Sequence, residues 1–208
     1  MGTLELRERN NWQTNSGPKG LAGAAEHKLF QAFKKAFKNT DYEITEHPKE
    51  LKHLYDSFEL SKEVLEQIFT PSDEAMQKAK RLGWGVSPDF AIKNKKTGKI
   101  LFGEIKRQDG WVEGNEPSAG RGNAHERMCK LFSPGLIKAY REHSGINDLE
   151  ILPFWIVLEG DITRDPKRNR EIAFWFDSYT KNFFMWRPNM TDKDLIHFFY
   201  QNLKPYLD

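Results

Sequence analysis

Eight successive residues without a polar side chain, Ile151 to Leu158 in the stretch ILPFWIVL, restrict this chain's options more than any other segment. The run falls far short of the roughly 20 residues a membrane-spanning helix needs, and its length suits a strand. A strand apolar on both faces has to be covered on both faces, which is the situation inside a sheet flanked by helices. The neighbouring segments offer such helices. Leu29, Phe30, Phe33 and Phe37 share one face, opposite Lys34, Lys35 and Lys38, and predict an amphipathic helix ending near Asn39. Ser61 and Ser72 stand where N-caps of two short helices belong. Residues 124–143 predict a helix interrupted at Ser133-Pro134-Gly135, and Thr191 caps a helix near the C-terminus.

Strand signals lie between these helices. Val86–Lys93 and Lys99–Lys106 read as a hairpin around NKKTGK, and Arg170–Tyr179 and Asn182–Pro188 read as further strands. This order predicts one α/β domain over residues 1–208, with a mixed central sheet flanked by helices and residues 1–20 as an arm.

Composition narrows the function classes. The net charge is only +2, so any footprint for nucleic acid must be local. The single cysteine, Cys129, cannot form an internal disulfide, which suits a reducing compartment. On the helix predicted over residues 124–143 it is expected to be a small packed residue. No apolar signal core opens the chain, so a soluble cytoplasmic protein with no membrane partner is expected. His27, His47, His53, His143 and His197 lack metal-ligand spacing, which argues against a structural zinc site. The aromatic FWF and NFFMW segments suit a core better than a base-stacking surface.

The hairpin carries the first chemistry. With Lys95 to Gly98 as its loop, Asn94 faces Lys99 and Asp89 falls opposite Glu104. Opposed Cβ atoms lie roughly 4.5–5.5 Å apart, so two carboxylates there repel unless a cation separates them. A one-residue slip would send Asp89 to the other face. Lys106, two residues after Glu104, projects from the same side. Asp89 and Glu104, with the Ile105 carbonyl, would hold Mg²⁺, an ion that takes oxygen ligands from one or two carboxylates and a substrate phosphate. Lys106 would hold the attacking water or the scissile phosphate of a phosphodiester. An isolated Asp and E-x-K usually mean surface charge. Here Ile100, Leu101, Phe102 and Ile105 bury the strand, where Glu and Lys are rare unless paired.

A second constellation, GRGNAHER, spans Gly120 to Arg127. Asn123 and Arg127 suit base edges, since Asn bonds adenine bidentately and Arg guanine. Standing alone, the segment fits a polar loop with a helix cap better. The combination PDF…GEIKRQDGWVEG…SAGRGNAHER, continued by EILPFWIV, EGDITRDPKR and FMWRPN, resembles the EcoRI-like type II restriction endonucleases, and among them the branch that cuts CAATTG.

That resemblance implies the PD-(D/E)xK fold and a homodimer on double-stranded palindromic DNA, with Mg²⁺ as cofactor. It also implies cleavage at C/AATTG with 5′-AATT ends and a cognate methyltransferase. Asp89 and Glu104 match the family's metal-binding acids, and Lys106 its catalytic lysine. Gly122, Asn123, Ala124, Glu126 and Arg127 match the segment that reads the inner AATT. His125 stands where EcoRI has an apolar residue and fits the CAATTG branch. Arg121 matches the residue assigned to the outer C·G pair.

Other residues carry weaker expectations. Arg164, Lys167, Arg168 and Arg170 form a charge run, more often a solvated loop than a phosphate contact. Arg7 and Arg9 either wrap DNA or fray. Glu26 reads as a helix-surface carboxylate before it reads as a further active-site acid. A related palindrome, a catalytically inactive DNA reader and a structure-directed repair nuclease are the competing functions. Intact Asp89, Glu104 and Lys106 argue against the second, and the length of the resemblance argues against the third.

Overall fold

A computed structural model describes residues 21–56, 58–68, 70–107 and 128–208. Its centre is a five-stranded sheet in the order β1-β2-β3-β4-β5: Tyr42–Glu46, Phe90–Asn94, Ile100–Arg107, Phe154–Glu159 and Phe183–Trp186. The pairs β1·β2 and β2·β3 are antiparallel, whereas β3·β4 and β4·β5 are parallel. This is the expected mixed sheet, and β4 is the apolar run from which the reading began. All six of its residues are buried. Trp155 and Val157 face one core while Phe154, Ile156 and Leu158 face the other.

Helices cover both faces. The first core contains residues of α1 (Leu21–Ala36) and α6 (Asp192–Asn202). There Phe33 meets Trp155 and Phe199 edge-on, at 5.9 and 5.4 Å between ring centres. The second core contains residues of α4 (Pro134–Ser144) and α5 (Pro166–Phe176). Short helices α2 (Lys62–Leu65) and α3 (Asp73–Leu82) lie between β1 and β2 in the chain, and α7 (Lys204–Leu207) follows α6. Ser61 and Ser72 accept hydrogen bonds from Val64 and Ala75, as N-caps do. Thr191 and Asp194 form a capping box at α6. Ser133 is extended, and Pro134 opens α4, so the predicted break is present. Among the described residues no helix is long and apolar enough to cross a membrane.

Four expectations need correction. Strand β1 was not anticipated, because only Tyr42 of its five residues is buried and an edge strand of that kind leaves little alternation. Arg170–Tyr179 is not a strand: residues up to Phe176 belong to α5. Asp165 accepts from the N–H groups of Lys167 and Arg168, Pro166 sits in the first turn, and Ile172 and Phe176 bury one face at helical spacing. The charge run from Arg164 to Arg170 is thus a 3₁₀ turn, Asp161–Arg164, running into α5, and not a loop. Cys129 is exposed rather than packed.

The hairpin register is set by local chemistry. Gly98 adopts a φ of 76°, a conformation glycine enters freely. The Asn94 side chain accepts from the Lys96 and Thr97 N–H groups. Phe90 then pairs with Gly103 and Lys93 with Ile100. Gly103 has to be glycine, because a Cβ there would stand 2.1 Å from the Phe90 ring. Asn94 also donates to the Leu207 carbonyl at 3.0 Å, tying the turn to α7.

Candidate active site

The register of β2 and β3, continued one step past Phe90 and Gly103, sets Asp89 opposite Glu104. Strand β2 begins at Phe90, so Asp89 stands just before it, and its side chain turns toward the part of β3 that β2 leaves unpaired. Its Oδ2 accepts from the Ile105 N–H at 2.9 Å and from Lys106 Nζ at 2.9 Å. Lys106 Nζ also stands 2.5 Å from Glu104 Oε2. A single ammonium thus bridges two carboxylates, which supplies the cation that the opposed pair demands. Within a strand, the N–H and C=O of one residue point the same way. The Ile105 carbonyl therefore faces the edge where Asp89 sits.

Burial strengthens these charges. Glu104 is only 8% exposed. Burial pushes its carboxyl above the ordinary glutamate range, Lys106 pulls it back, and Asp89 raises it again. For Lys106, burial works against the ammonium, but Glu104 and Asp89 together outweigh it and hold its pKa above the usual lysine value. Lys130 adds a further downward pull on Glu104. Glu159, at the end of β4, pairs with Arg107 Nη1 at 3.2 Å and with Lys28 Nζ at 3.5 Å. Lys28 also lies over the Trp186 ring, 3.7 Å from its centre, which fastens α1 to the ends of β4 and β5. Sequence spacing gave no sign of Lys130 or Glu159, since tertiary packing alone brings them here.

Glu26 is better placed than its reading as a surface carboxylate implied. With Glu46, His47, Asp89 and Ile105 it lines a cleft of about 230 Å³ between α1 and the hairpin. Burial, and then Asp89, raise its pKa. Arg164, Lys167 and Arg170 are exposed on and before α5, whereas Arg168 is occupied by Glu171 at 2.6 Å. Arg121, Gly122, Asn123, Ala124, His125, Glu126 and Arg127 lie outside the described residues, as do Arg7 and Arg9.

A mixed sheet whose antiparallel hairpin sets Asp89, Glu104 and Lys106 together narrows the candidates, and comparison with known proteins decides among them. The family model described as "Type II restriction enzyme MunI" matches residues 1–208. The MunI enzyme of Mycoplasma sp is 58% identical over 208 residues, covering the whole of both chains. The crystal structure of MunI restriction endonuclease in complex with cognate DNA superposes with a TM-score of 0.76, at 58% identity, over 95% of this chain and 98% of that one.

This chain belongs to the MunI family. It is a type II restriction endonuclease with the α/β fold of that family, and membership implies a divalent metal cofactor and action on DNA.

The residues of this MunI-family chain fit such an ion. Among the described residues no group of three or more His, Cys, Asp or Glu side chains is placed to hold a metal. The hairpin instead offers Asp89, Glu104 and the Ile105 carbonyl, a sparse all-oxygen set. That is the donor set Mg²⁺ takes when water and a substrate phosphate complete its shell.

Proposed function

We propose that this chain is a Mg²⁺-dependent endonuclease that cuts double-stranded DNA at the palindrome CAATTG, at C/AATTG, leaving 5′-AATT ends. Asp89, Glu104 and the Ile105 carbonyl hold the metal. When bound, Mg²⁺ lowers the pKa of a water and offsets charge on the phosphoryl oxygens. Lys106 then turns from the carboxylates to orient the attacking water against the scissile phosphate. Burial of Glu104 beside Lys106 keeps the charges around that phosphate strong. The observation that carries this reading is the bridging of Asp89 and Glu104 by Lys106 at the open end of the hairpin.

Specificity is assigned to Arg121–Arg127. Arg121 contacts the outer guanine through O6 and N7, and Asn123 and Arg127 read the inner AATT with Gly122, Ala124, His125 and Glu126. A palindrome calls for a two-fold homodimer in which each protomer reads a half-site and cuts one strand. Such an enzyme acts in the cytoplasm beside a methyltransferase that protects host sites.

Digestion of sequenced phage DNA with Mg²⁺, followed by sequencing of the ends, tests the reading. Ends at C/AATTG are expected. Discrete ends at another palindrome would keep the hairpin roles and overturn the role of Arg121, and intact DNA would overturn the activity. Arg121→Ala is expected to lower discrimination at the outer pair by roughly 1–3 kcal/mol.

A further inference from the structure

Tyr140 lies in α4, only 1% exposed, in the core on the Glu104 side of the sheet. Its ring packs edge-on against Phe102 at 5.3 Å and against Phe154 at 6.0 Å. A phenylalanine would make the same contacts, so packing does not explain the hydroxyl. That hydroxyl is fully buried and has no hydrogen-bond partner among the described residues. Buried polar atoms are overwhelmingly paired, and an orphan asks for a reason.

The sheet supplies one. Phe102 and Glu104 are two residues apart on β3 and project from the same face, so the ring against Phe102 lies beside Glu104. Burial first, then Glu104, Tyr55 and, with a smaller share, Asp89 raise the phenol's pKa. Glu104 for its part has Lys106 as its partner, on Oε2. Once Lys106 turns to substrate, Glu104 loses that partner.

We propose that Tyr140 is a positioning residue, its buried hydroxyl donating to the Glu104 carboxylate, directly or across one water, and fixing its orientation as a metal ligand. Groups that orient a metal-bound carboxylate from behind commonly contribute about 10–100-fold to metal affinity or activity. The inference rests on Glu104 being a metal ligand.

Tyr140→Phe tests it, because only the hydroxyl is lost. The measurements are Mn²⁺ titration calorimetry, single-turnover cleavage of a CAATTG duplex across Mg²⁺ concentrations, metal-free DNA affinity and melting temperature. Expected are an about tenfold weaker Mn²⁺ affinity and a higher half-saturating Mg²⁺, with DNA affinity unchanged and melting unchanged or raised. Metal affinity and cleavage within about twofold of wild type would overturn the proposal. So would losses matched by a lower melting temperature, which would give the hydroxyl a structural role. Glu104→Ala run alongside separates the premises. If it loses Mn²⁺ while Tyr140→Phe binds fully, only the Tyr140 inference falls. If it binds normally, the metal-ligand assignment of Glu104 falls, and the Tyr140 inference with it.

Discussion

The hairpin from Asp89 to Lys106 and the segment from Arg170 to Tyr179 both read as strands, yet the first folds as its sequence suggests and the second does not. In the hairpin, conformation is dictated by residues with few alternatives. Gly98 takes the left-handed turn, Asn94 accepts from the turn amides, and Gly103 admits the Phe90 ring. In the second segment, Ile, Phe and Trp suggest a strand, but these residues suit any buried surface. The deciding signals lie upstream, where Asp165 caps the helix and Pro166 opens it. Backbone-specific residues outrank apolar composition when the two compete.

Substitutions can break that comparison. The largest effect is expected within α5. In a strand, Ile172, Phe174 and Phe176 would share a face. In the helix, Phe176 is fully buried and Phe174 is 83% exposed. Phe176→Ala should therefore cost about 3–5 kcal/mol, and Phe174→Ala less than about 0.5 kcal/mol. Equal losses in chemical denaturation would restore the strand.

Next comes Gly103→Ala. The added methyl has to displace the Phe90 ring, one residue from Asp89, at a cost of about 1–3 kcal/mol. Cleavage should fall as well, because the ring's neighbour is the proposed metal ligand Asp89. A variant with native stability and rate would show that the Phe90–Gly103 contact sets neither the register nor the site.

The smallest effect is a pH dependence. Burial raises the pKa of Glu104 in the metal-free protein above the ordinary 4.5. The folded state holds that proton more tightly than the unfolded chain does. This contribution to stability is fully present below 4.5 and is lost as pH rises through the raised value. With Glu104 as the proposed metal ligand, metal binding would expel the proton, so Mn²⁺ affinity should climb across the same window. Metal-free melting curves of Glu104→Gln should lose this part of the pH dependence. An unaltered profile would mean that folding does not raise the Glu104 pKa.

Much of the site was legible because its signals are short-range. The spacing of Glu104 and Lys106 fixes their shared face, and the turn fixes Asp89 opposite them. What escaped the sequence depends on distant packing. Glu26 faces Asp89 only because α1 lies across the hairpin, and Tyr140 meets Phe102 only through the docking of α4. Strand β1 escaped for a different reason: five residues with one buried side chain carry too little pattern. The exposure of Cys129 was missed because cysteine's general preference for burial does not say which face of a turn it occupies.

The most direct measurement compares wild type with Asp89→Ala on one CAATTG duplex, recording Mg²⁺-dependent strand cleavage and sequence-specific binding in the same samples. The account predicts that Asp89→Ala binds the site and leaves both strands intact. Cleavage by Asp89→Ala at the wild-type rate would contradict the hairpin as the catalytic centre.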